Sequence, residues 1–330
     1  MYDSSSDLKG FYNKCVRLSK DDKDKLAGYR DSNIKRLESG LAKDSNPMPE
    51  YINQGSYAMH TINQHPSNDY DIDLGVIFNK DDLIGARGAD MTALDARKMV
   101  LQAMKDDRFT KEPQIRVNCI RVFYNEGHHV DMPVYRKTDD KLELASSDWY
   151  QSDPAAVTKW FCDNVDKKSP DTENGKQMRR VVRLIKYWSR SRFSWNMPSG
   201  FIISVLVDEC YNAVENRDDE ALYKTLLKIS ERLKKSTDVF HPIFPDINLS
   251  EGKEHKIEEF IGQIEENVLP CFEDIFDPES TRQTVLKAWK AIFDHEFFKD
   301  LLESKSREFV SVVPTKPVSK DGNNRYARNA

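Results

Sequence analysis

The sequence predicts an α+β protein with two lobes, in which a mixed sheet with helices is followed by a helical lobe. The chain has 330 residues, more than one typical domain and enough for two sizeable cores. Segments with strand-like alternation are concentrated before residue 150, whereas helical periodicities dominate beyond it. The chain is therefore expected to fold as two parts that meet near residue 150.

A long amphipathic helix is predicted at the start of the first part. Residues 19–22, Ser-Lys-Asp-Asp, resemble a capping box with Asp in place of Glu, and apolar residues then recur at near-helical spacing up to Lys43. A breaker with two prolines follows at 46–49. The next segments predict a short strand at 51–54 and a helical turn at 57–61.

The sheet is predicted mainly from three later segments. Residues 70–78 alternate and end in an apolar run, which indicates a strand with one buried face. Residues 115–124 and 128–135 predict two strands around a tight turn at 125–127. Residues 92–105 have the pattern of a helix. Together these segments predict a small mixed sheet with helices.

The second part is predicted to be helical. Its helices are expected at 154–164, 172–192, 199–214, 219–233, 256–267 and 278–302. The last stretch has two prolines, few apolar residues and no periodicity, which favours a mobile tail. The predicted organisation is an N-terminal helical segment (1–18), a core with a long helix that spans both lobes (19–150), a helical lobe (151–310) and a flexible tail (311–330).

Composition excludes several classes of protein. The net charge of -5 creates no overall field that would attract nucleic acid, so a polyanion would need a local basic patch. The five cysteines lack metal-ligand spacing and favour a reducing compartment. No apolar run approaches the roughly 18 residues of a membrane span, and the N-terminus lacks the features of a signal peptide. A cytoplasmic protein without a membrane partner is expected.

Aspartates alternate at the start of the 70–78 strand. Asp69, Asp71 and Asp73 would point to one face of that strand, because successive side chains alternate between faces. Two such carboxylates can hold divalent cations, and Mg²⁺ is usually bound by a few carboxylates plus substrate phosphates. An isolated pair of this kind is more often the solvated end of an edge strand.

Two further features favour the functional interpretation. Gly55 and Ser56 lie upstream, where glycine permits close approach of the backbone and serine at a helix start offers its hydroxyl and N–H to an oxyanion. Asp131 interrupts an otherwise apolar strand, and a carboxylate there requires a partner or a metal. The order of these features along the chain strengthens the prediction of a metal site.

The segments QGSYAMHT, DYDIDLGVIF and VDMPVY together resemble the DNA polymerase β-like nucleotidyltransferases, and in particular the bacterial CD-NTases of the cGAS/DncV-like group. The resemblance extends over roughly residues 19–310 in element order and implies an active site in a cleft between the lobes. It implies that Asp71 and Asp73 bind two Mg²⁺ ions, Mn²⁺ being an alternative. Asp131 would bind one ion and help to deprotonate the attacking hydroxyl. A register shifted to Asp69 and Asp71 remains open.

The resemblance also implies contacts to the nucleotide. Lys186 lies on a basic helix and would reach the β- or γ-phosphate, while the other cations of that helix are expected to form a solvated surface. Asp246 would contact the nucleotide, or it would equally belong to a purely structural loop. Arg121 would contact an acceptor phosphate from the sheet. The implied nucleotide-binding residues are Gln54, Gly55, Ser56, Arg121, Lys186, Ser199, Gly200 and Asp246.

The function that the resemblance implies is a cyclic oligonucleotide synthase of anti-phage (CBASS-type) signalling. It would join two or three NTPs, ATP and GTP among them, into a cGAMP-like or related messenger for a downstream effector, with release of pyrophosphate. Conjugation of Ala330 by an E1/E2-like enzyme is a further expectation, and the His/Cys insertion of a DNA-binding platform has no counterpart. The alternatives are a non-cyclising transferase acting on RNA, a small molecule or a protein, and a nucleotide-binding or scaffolding protein without turnover.

Overall fold

The structure, a computed structural model, describes residues 2–64, 71–85, 88–106, 111–125, 127–172 and 175–310, with the backbone alone over 304–310. It confirms the predicted α+β class, with a mixed sheet in the first half and helices in the second. None of the described helices combines the length and the apolarity that crossing a membrane would require.

Strand β2, Asp71–Asn79, is the centre of the sheet. Strand β1, Glu50–Gln54, pairs with it in antiparallel orientation. Strands β5, His129–Met132, and β6, Val134–Lys137, pair with it in parallel, one after the other along its length. The predicted strand at 128–135 is therefore divided at Pro133, which has no N–H to donate but whose carbonyl accepts from the Val76 N–H at 2.8 Å.

Four short strands complete the sheet. They are β3, Gln114–Ile115; β4, Ile120–Phe123; β7, Leu142–Ala145; and β8, Trp149–Gln151. Strand β4 pairs with β5, whereas β7 pairs with β6 and β8 with β7. The single strand predicted over 115–124 is wrong, because a turn closed by the Arg116 N–H to the Cys119 carbonyl separates β3 from β4. Strands β7 and β8 were not predicted from the sequence.

Three helices belong to this half of the molecule. Helix α2, Lys20–Lys43, begins where the capping pattern predicts, since the Ser19 hydroxyl accepts from the Asp22 N–H at 3.0 Å. Helix α3, Gly55–Ala58, begins two residues before the predicted turn. Helix α4, Ala93–Ala103, matches its prediction closely. Helices α2 and α4 contribute to one apolar core with the sheet.

The helical lobe contains helices from both ends of the chain. Its helices are α1, Ser5–Phe11; α5, Pro154–Lys168; α6, Gln177–Ser189; α7, Gly200–Cys210; α8, Asp218–Leu233; α9, Glu254–Gln263; α10, Leu269–Phe276; α11, Arg282–Phe293; and α12, Glu296–Val310. Two π-helical turns, Tyr12–Val16 and Ile264–Val268, follow α1 and α9. Helix α1 lies in the N-terminal segment (1–18) that is predicted to be helical, whereas α10 was not predicted from the sequence.

The predicted helix at 278–302 is wrong. Asp294 adopts a left-handed conformation, with φ of 49°, and its N–H bonds to the Lys290 carbonyl, so that α11 ends there and α12 starts as a new helix. The helix predicted over 172–192 is also too long, because α6 begins only at Gln177. At Asp294 the apolar periodicity continued through a backbone break, whereas residues 172–176 carry no apolar side chain.

The first residues of the chain pack into the helical lobe. Phe11 is fully buried against the rings of Phe293 and Phe298. The Arg282 guanidinium donates two hydrogen bonds, of 3.1 and 2.6 Å, to the Asp7 carboxylate. Residues 2–18 are therefore part of the same core as helices α6 to α12.

A contact between α2 and α4 generates a stability prediction. A Cβ at Gly40 would lie 2.0 Å from the carbonyl oxygen of Ala103, whereas a Cβ at Gly28, on the same helix, would meet nothing within 4 Å. Gly40→Ala should lower the free energy of unfolding by about 1–3 kcal/mol, because the two helices must separate. Gly28→Ala should raise it by about 0.5–1 kcal/mol, the usual gain in helix propensity. Urea denaturation of both variants checks this, and equal shifts would contradict it.

Candidate functional site

Strand pairing brings three carboxylates together. Strands β2 and β5 are parallel, and their register places Asp73 beside Asp131 and Asp71 beside His129. Carboxylate oxygens of Asp71, Asp73 and Asp131, the carboxylate triad, all lie within 4.8 Å of one another. Asp69, on which the alternative register depends, lies outside the described residues. The described part of the chain thus supports the pair Asp71 and Asp73.

Mutual repulsion marks the triad as a site for a cation. Burial, followed by the charge of Asp131, raises the pKa of Asp71. Burial, followed by the charges of Asp71 and Asp131, raises the pKa of Asp73 well above its usual value. A divalent cation among these oxygens would remove the repulsion. Because the three donors are all carboxylate oxygens, they fit Mg²⁺ or Mn²⁺.

Arg121 compensates the most buried carboxylate of the triad. It faces Asp131 across the β4–β5 pair, and its guanidinium donates two hydrogen bonds, of 2.7 and 2.6 Å, to the two oxygens of that carboxylate. It also lies 4.0 Å from a carboxylate oxygen of Asp71. These contacts raise the pKa of Arg121, first through the hydrogen bond to Asp131. The partner that a buried Asp131 requires is therefore an arginine on the neighbouring strand.

Gly55 allows the backbone to pass close to the triad. Gln54 pairs with Asp73 across β1 and β2, and α3 starts at the next residue. Gly55 has φ of 62°, and a Cβ there would lie 2.1 Å from a carboxylate oxygen of Asp73. The Gln54 side chain is held by the Tyr135 hydroxyl, which donates to its Oε1 at 3.0 Å. Only glycine fits this position without displacing the carboxylate.

The basic face of α6 is buried, contrary to the expectation of a solvated surface. Its side chains at one-turn spacing donate to three successive backbone carbonyls in the segment after α3. The donors and acceptors are Arg179 to Met59, Arg183 to His60 and Lys186 to Thr61. Arg180 is buried as well, paired with Asp218 and Asp171. These cations are buried because each one has acceptors within the protein.

Lys186 connects this helix to the triad. Its ammonium donates to the carbonyl and the hydroxyl of Thr61 at 3.0 and 3.3 Å. Burial, followed by the charge of Arg190, lowers the pKa of Lys186 to about 7, although Asp71 acts in the opposite direction. A Cβ at Gly200 would lie 3.2 Å from the Lys186 nitrogen, so this glycine gives the lysine its space.

A cavity of about 440 Å³, the triad cavity, contains most of the predicted residues. Its sheet side is lined by Asp71 and Asp73, and its helical side by the start of α7. Predicted nucleotide contacts in its lining are Gln54, Gly55, Ser56, Lys186, Ser199 and Gly200. The volume is in the range of sites for small molecules. The Ser199 hydroxyl caps α7 by accepting from the Ile202 N–H at 3.3 Å.

Other residues fall differently from the prediction. Arg121 and Asp131 lie on the sheet side, outside the cavity lining, and Asp246 is exposed outside it as well. His241, at the start of the same loop, lines the cavity instead. Its Nδ1 accepts from the N–H groups of Ile243 and Phe244, which places the proton of the neutral ring on Nε2. Arg190 also lines the cavity and was considered in the sequence only as part of a basic face.

The close approach at Gly55 predicts an effect on metal binding. Gly55→Ala should push the Asp73 carboxylate aside and weaken Mn²⁺ binding by about tenfold or more, as loss of support for a metal ligand commonly does. Gly252→Ala is the matched control, since Gly252 has φ of 70° but no atom within 4 Å of a Cβ. Both variants should lose about 1–2 kcal/mol of stability through backbone strain. Equal Mn²⁺ affinities by electron paramagnetic resonance would contradict the assignment.

Comparison with known proteins agrees with this geometry. A family profile described as the nucleotidyltransferase domain of cyclic GMP-AMP synthase DncV-like proteins matches residues 49–135, which include the whole triad. A cyclic GMP-AMP synthase of Escherichia albertii is 28% identical over 201 residues, which are 58% of this chain. The match spans only 43% of that relative's length.

Solved structures of low sequence identity share the fold. The Vibrio cholerae di-nucleotide cyclase DncV in complex with GTP and 5MTHFGLU2 superimposes with a TM-score of 0.69 at 15% identity, over 87% of this chain and 94% of that one. The Bradyrhizobium diazoefficiens CD-NTase CdnG in complex with GTP gives a TM-score of 0.67 at 13% identity, over 87% and 95% of the two chains. Residues 49–135 thus match a DncV-like nucleotidyltransferase domain, and the chain has the fold of the CD-NTases.

Proposed function

We propose that the protein is a nucleotidyltransferase that joins two or three NTPs into a cyclic oligonucleotide, with release of pyrophosphate. The observation that carries the proposal is the carboxylate triad. Two of its members, Asp71 and Asp73, line a cavity of about 440 Å³ whose lining also includes two cations, Lys186 and Arg190. Acidic oxygens on one side and cations on the other suit a substrate that reacts through metal ions and carries a triphosphate. The relative from Escherichia albertii supports cyclic GMP-AMP as a product class.

The triad is proposed to hold two Mg²⁺ ions. When bound, such ions lower the pKa of an attacking ribose hydroxyl and stabilise the charge that develops on the leaving group. Asp71 and Asp73 lie in the cavity lining and would bind both ions, whereas Asp131 would bind one. Asp131 is further assigned to accepting the hydroxyl proton, because it lies on the sheet side together with Arg121. Arg121 neutralises Asp131 and is placed to meet an acceptor phosphate from that side.

The helical lobe is assigned to the triphosphate. Lys186 offers a buried ammonium next to Gly200, and the first N–H groups of α7 follow directly. An α-helix start favours anions because its N–H groups are free and its dipole is positive there. Gln54, Gly55 and Ser56 would approach the same phosphates from the sheet side of the cavity. His241 offers a single N–H donor to the nucleotide and takes the role expected of Asp246.

The size and charge of the site favour small substrates. The chain has a net charge of -5, whereas binding of a long nucleic-acid primer usually needs a broad basic surface. ATP and GTP are the proposed substrates, and an effector that binds the cyclic product is the proposed downstream partner in anti-phage defence. The proposed conjugation of Ala330 concerns a tail that lies outside the described residues.

Product analysis tests the proposed function. The full chain, incubated with the four NTPs and Mg²⁺, should release diphosphate and form nuclease-resistant cyclic products that mass spectrometry identifies. The double variant Asp71→Asn with Asp73→Asn should lose more than about a hundredfold in rate, because the metal ligands lose their charge. Its stability should be unchanged or higher, since the native carboxylates repel one another.

The matched control is Asp163→Asn, which changes an exposed carboxylate paired with Lys159 and should keep full activity. Linear extension of added RNA, or labelling of a protein or small molecule, would favour a non-cyclising transferase instead. Binding of NTPs without any turnover would favour a nucleotide-binding or scaffolding role. Turnover that survives in the double Asn variant would refute the assignment of the triad.

The lowered pKa of Lys186 predicts a pH dependence of nucleotide binding. In the free protein this pKa is about 7, so the ammonium is lost progressively above neutral pH. A triphosphate favours the ammonium, and binding therefore takes up a proton. The dissociation constant of a non-hydrolysable NTP should rise as pH increases from 7 to 9, by up to about tenfold per unit. Below about pH 6 this group adds little dependence, because its ammonium is then almost fully charged.

Lys186→Arg is the control, because arginine stays charged throughout this range and removes the contribution of the lysine. The dissociation constant of the NTP is measured for both proteins by calorimetric titration at several pH values. Protonation of the phosphate affects both proteins equally, so the comparison removes its contribution. Identical slopes would show that Lys186 does not contact the triphosphate.

A further inference from the structure

A second cavity, of about 470 Å³, adjoins the triad cavity. The two cavities share the four residues Lys186, Arg190, Ser199 and Gly200. The second cavity is otherwise lined by Ser189, the last residue of α6, and by the segment between α6 and α7, namely Arg192, Phe193, Trp195, Asn196, Met197 and Pro198. The residues assigned to the triphosphate therefore lie between the triad cavity and a second cavity, and they do not form the end of the site.

Arg190 is the accessible cation at this boundary. It is exposed, and its guanidinium makes no hydrogen bond or ion pair with any residue that the structure describes. The pKa of Lys186 is lowered mainly by burial and next by the positive charge of Arg190. Burial and the charge of Asp131 raise the pKa of Asp71, and the positive charge of Arg190 acts in the opposite direction. Arg190 thus lies near both Lys186 and the triad.

The other cations of this region are already committed to protein groups. Lys186 donates to the carbonyl of Thr61. The guanidinium of Arg192 donates to the carbonyls of Ile292 and Ala291 and lies over the ring of Trp195, 4.7 Å from its centre. A ligand entering either cavity would consequently find in Arg190 a positive charge that requires no protein contact to be broken.

The direction of the reaction places the second cavity on the leaving side. In phosphoryl transfer the attacking and leaving oxygens are roughly in line. The proposed attacking side holds Asp131 and Arg121, on strands β5 and β4, and the opposite side holds Lys186 and Arg190. The second cavity shares these two cations and the start of α7 with the triad cavity. Diphosphate formed at the triad would therefore be produced at its entrance.

We propose that the second cavity binds the inorganic diphosphate product and conducts it away from the triad, with Arg190 as its main ligand. This inference rests on the proposed function. The hydroxyl oxygen bonds to the α-phosphorus while the bond from that phosphorus to the bridging oxygen breaks, and the electron pair of the broken bond leaves with the diphosphate. Arg190 meets the charge that appears on this group. The next NTP can then enter the triad cavity, which a synthase making two or more linkages requires.

Fluorescence titration with magnesium diphosphate tests the binding site on the full chain. Trp195 lines only the second of the two cavities, so diphosphate there should change its emission, and Trp195→Phe should remove that change. Arg190→Gln should raise the dissociation constant of diphosphate about tenfold or more, as loss of a charged hydrogen-bonding partner commonly does. Arg190→Lys should restore part of the affinity. Asn196→Arg, which adds a cation to the far wall, should tighten binding.

The control is Lys228→Gln, which removes an exposed charge on α8 outside both cavities and should leave diphosphate binding unchanged. A fluorescence change that persists in Trp195→Phe would overturn the proposed location. An unaltered diphosphate affinity in Arg190→Gln would overturn the role of Arg190.

Inhibition of turnover by added diphosphate separates this inference from the proposed function. If wild-type protein converts NTPs, Arg190→Gln should raise the inhibition constant of diphosphate by a similar factor. Normal turnover with an unchanged inhibition constant would overturn the inference alone. A wild-type protein that releases no diphosphate from any NTP would overturn the proposed function, and this inference with it.

Discussion

The parallel pairing of β2 with β5 is the constraint on which the site depends. It places Asp73 beside Asp131 and brings three carboxylates within 4.8 Å, although like charges at this distance repel one another. A sheet stabilised only by its apolar core would not place them there. The structure balances this charge from two directions, with Arg121 on the sheet side and with Lys186 and Arg190 on the helical side. Asp71 and Asp73 still present carboxylate oxygens to the cavity, and these are the donors that a divalent cation would use.

The buried cations of α6 connect the two halves of the molecule. Each of three successive carbonyls, from Met59 to Thr61, accepts a hydrogen bond from a different side chain on this helix. Buried cations without acceptors would cost several kcal/mol each, so the helix and this segment stabilise one another. Since the segment follows α3 directly, the same bonds position Gly55 and Ser56 relative to the helical side of the cavity. Stability and function therefore depend on one set of contacts.

The cations are arranged asymmetrically around the triad. Arg121 is engaged by both oxygens of Asp131, Lys186 is buried against Thr61, and Arg190 is exposed between two cavities. In the proposed reaction the acceptor phosphate would meet Arg121, the triphosphate Lys186 and the diphosphate Arg190. These three cations differ in how many protein contacts they already make. A cation that must first give up a protein contact binds its ligand less tightly than one that is free. Arg190, which has no such contact among the described residues, is therefore expected to bind its ligand at the smallest cost.

The sequence by itself determined the features that depend on neighbouring residues. The capped start of α2, the one-sided aspartates of β2 and the serine cap of α7 follow from periodicity and local hydrogen bonds. The residue types needed for a metal site were visible for the same reason. The choice between a solvated acidic strand and that site rested on Gly55, Ser56 and Asp131 and on their order along the chain, and the family resemblance then implied the roles of these residues.

The tertiary structure decided the partners of charged groups that are far apart in the chain. Arg179 and its acceptor at Met59 are 120 residues apart, so periodicity showed a basic helix face but not the carbonyls that bury it. Strand pairing likewise selected Arg121 as the partner of Asp131, and the folded loop placed His241 rather than Asp246 in the cavity. The second cavity beside Arg190 exists only where α6 and α7 meet. Such contacts require the packed chain, because their energy depends on burial and on distances that no local pattern contains.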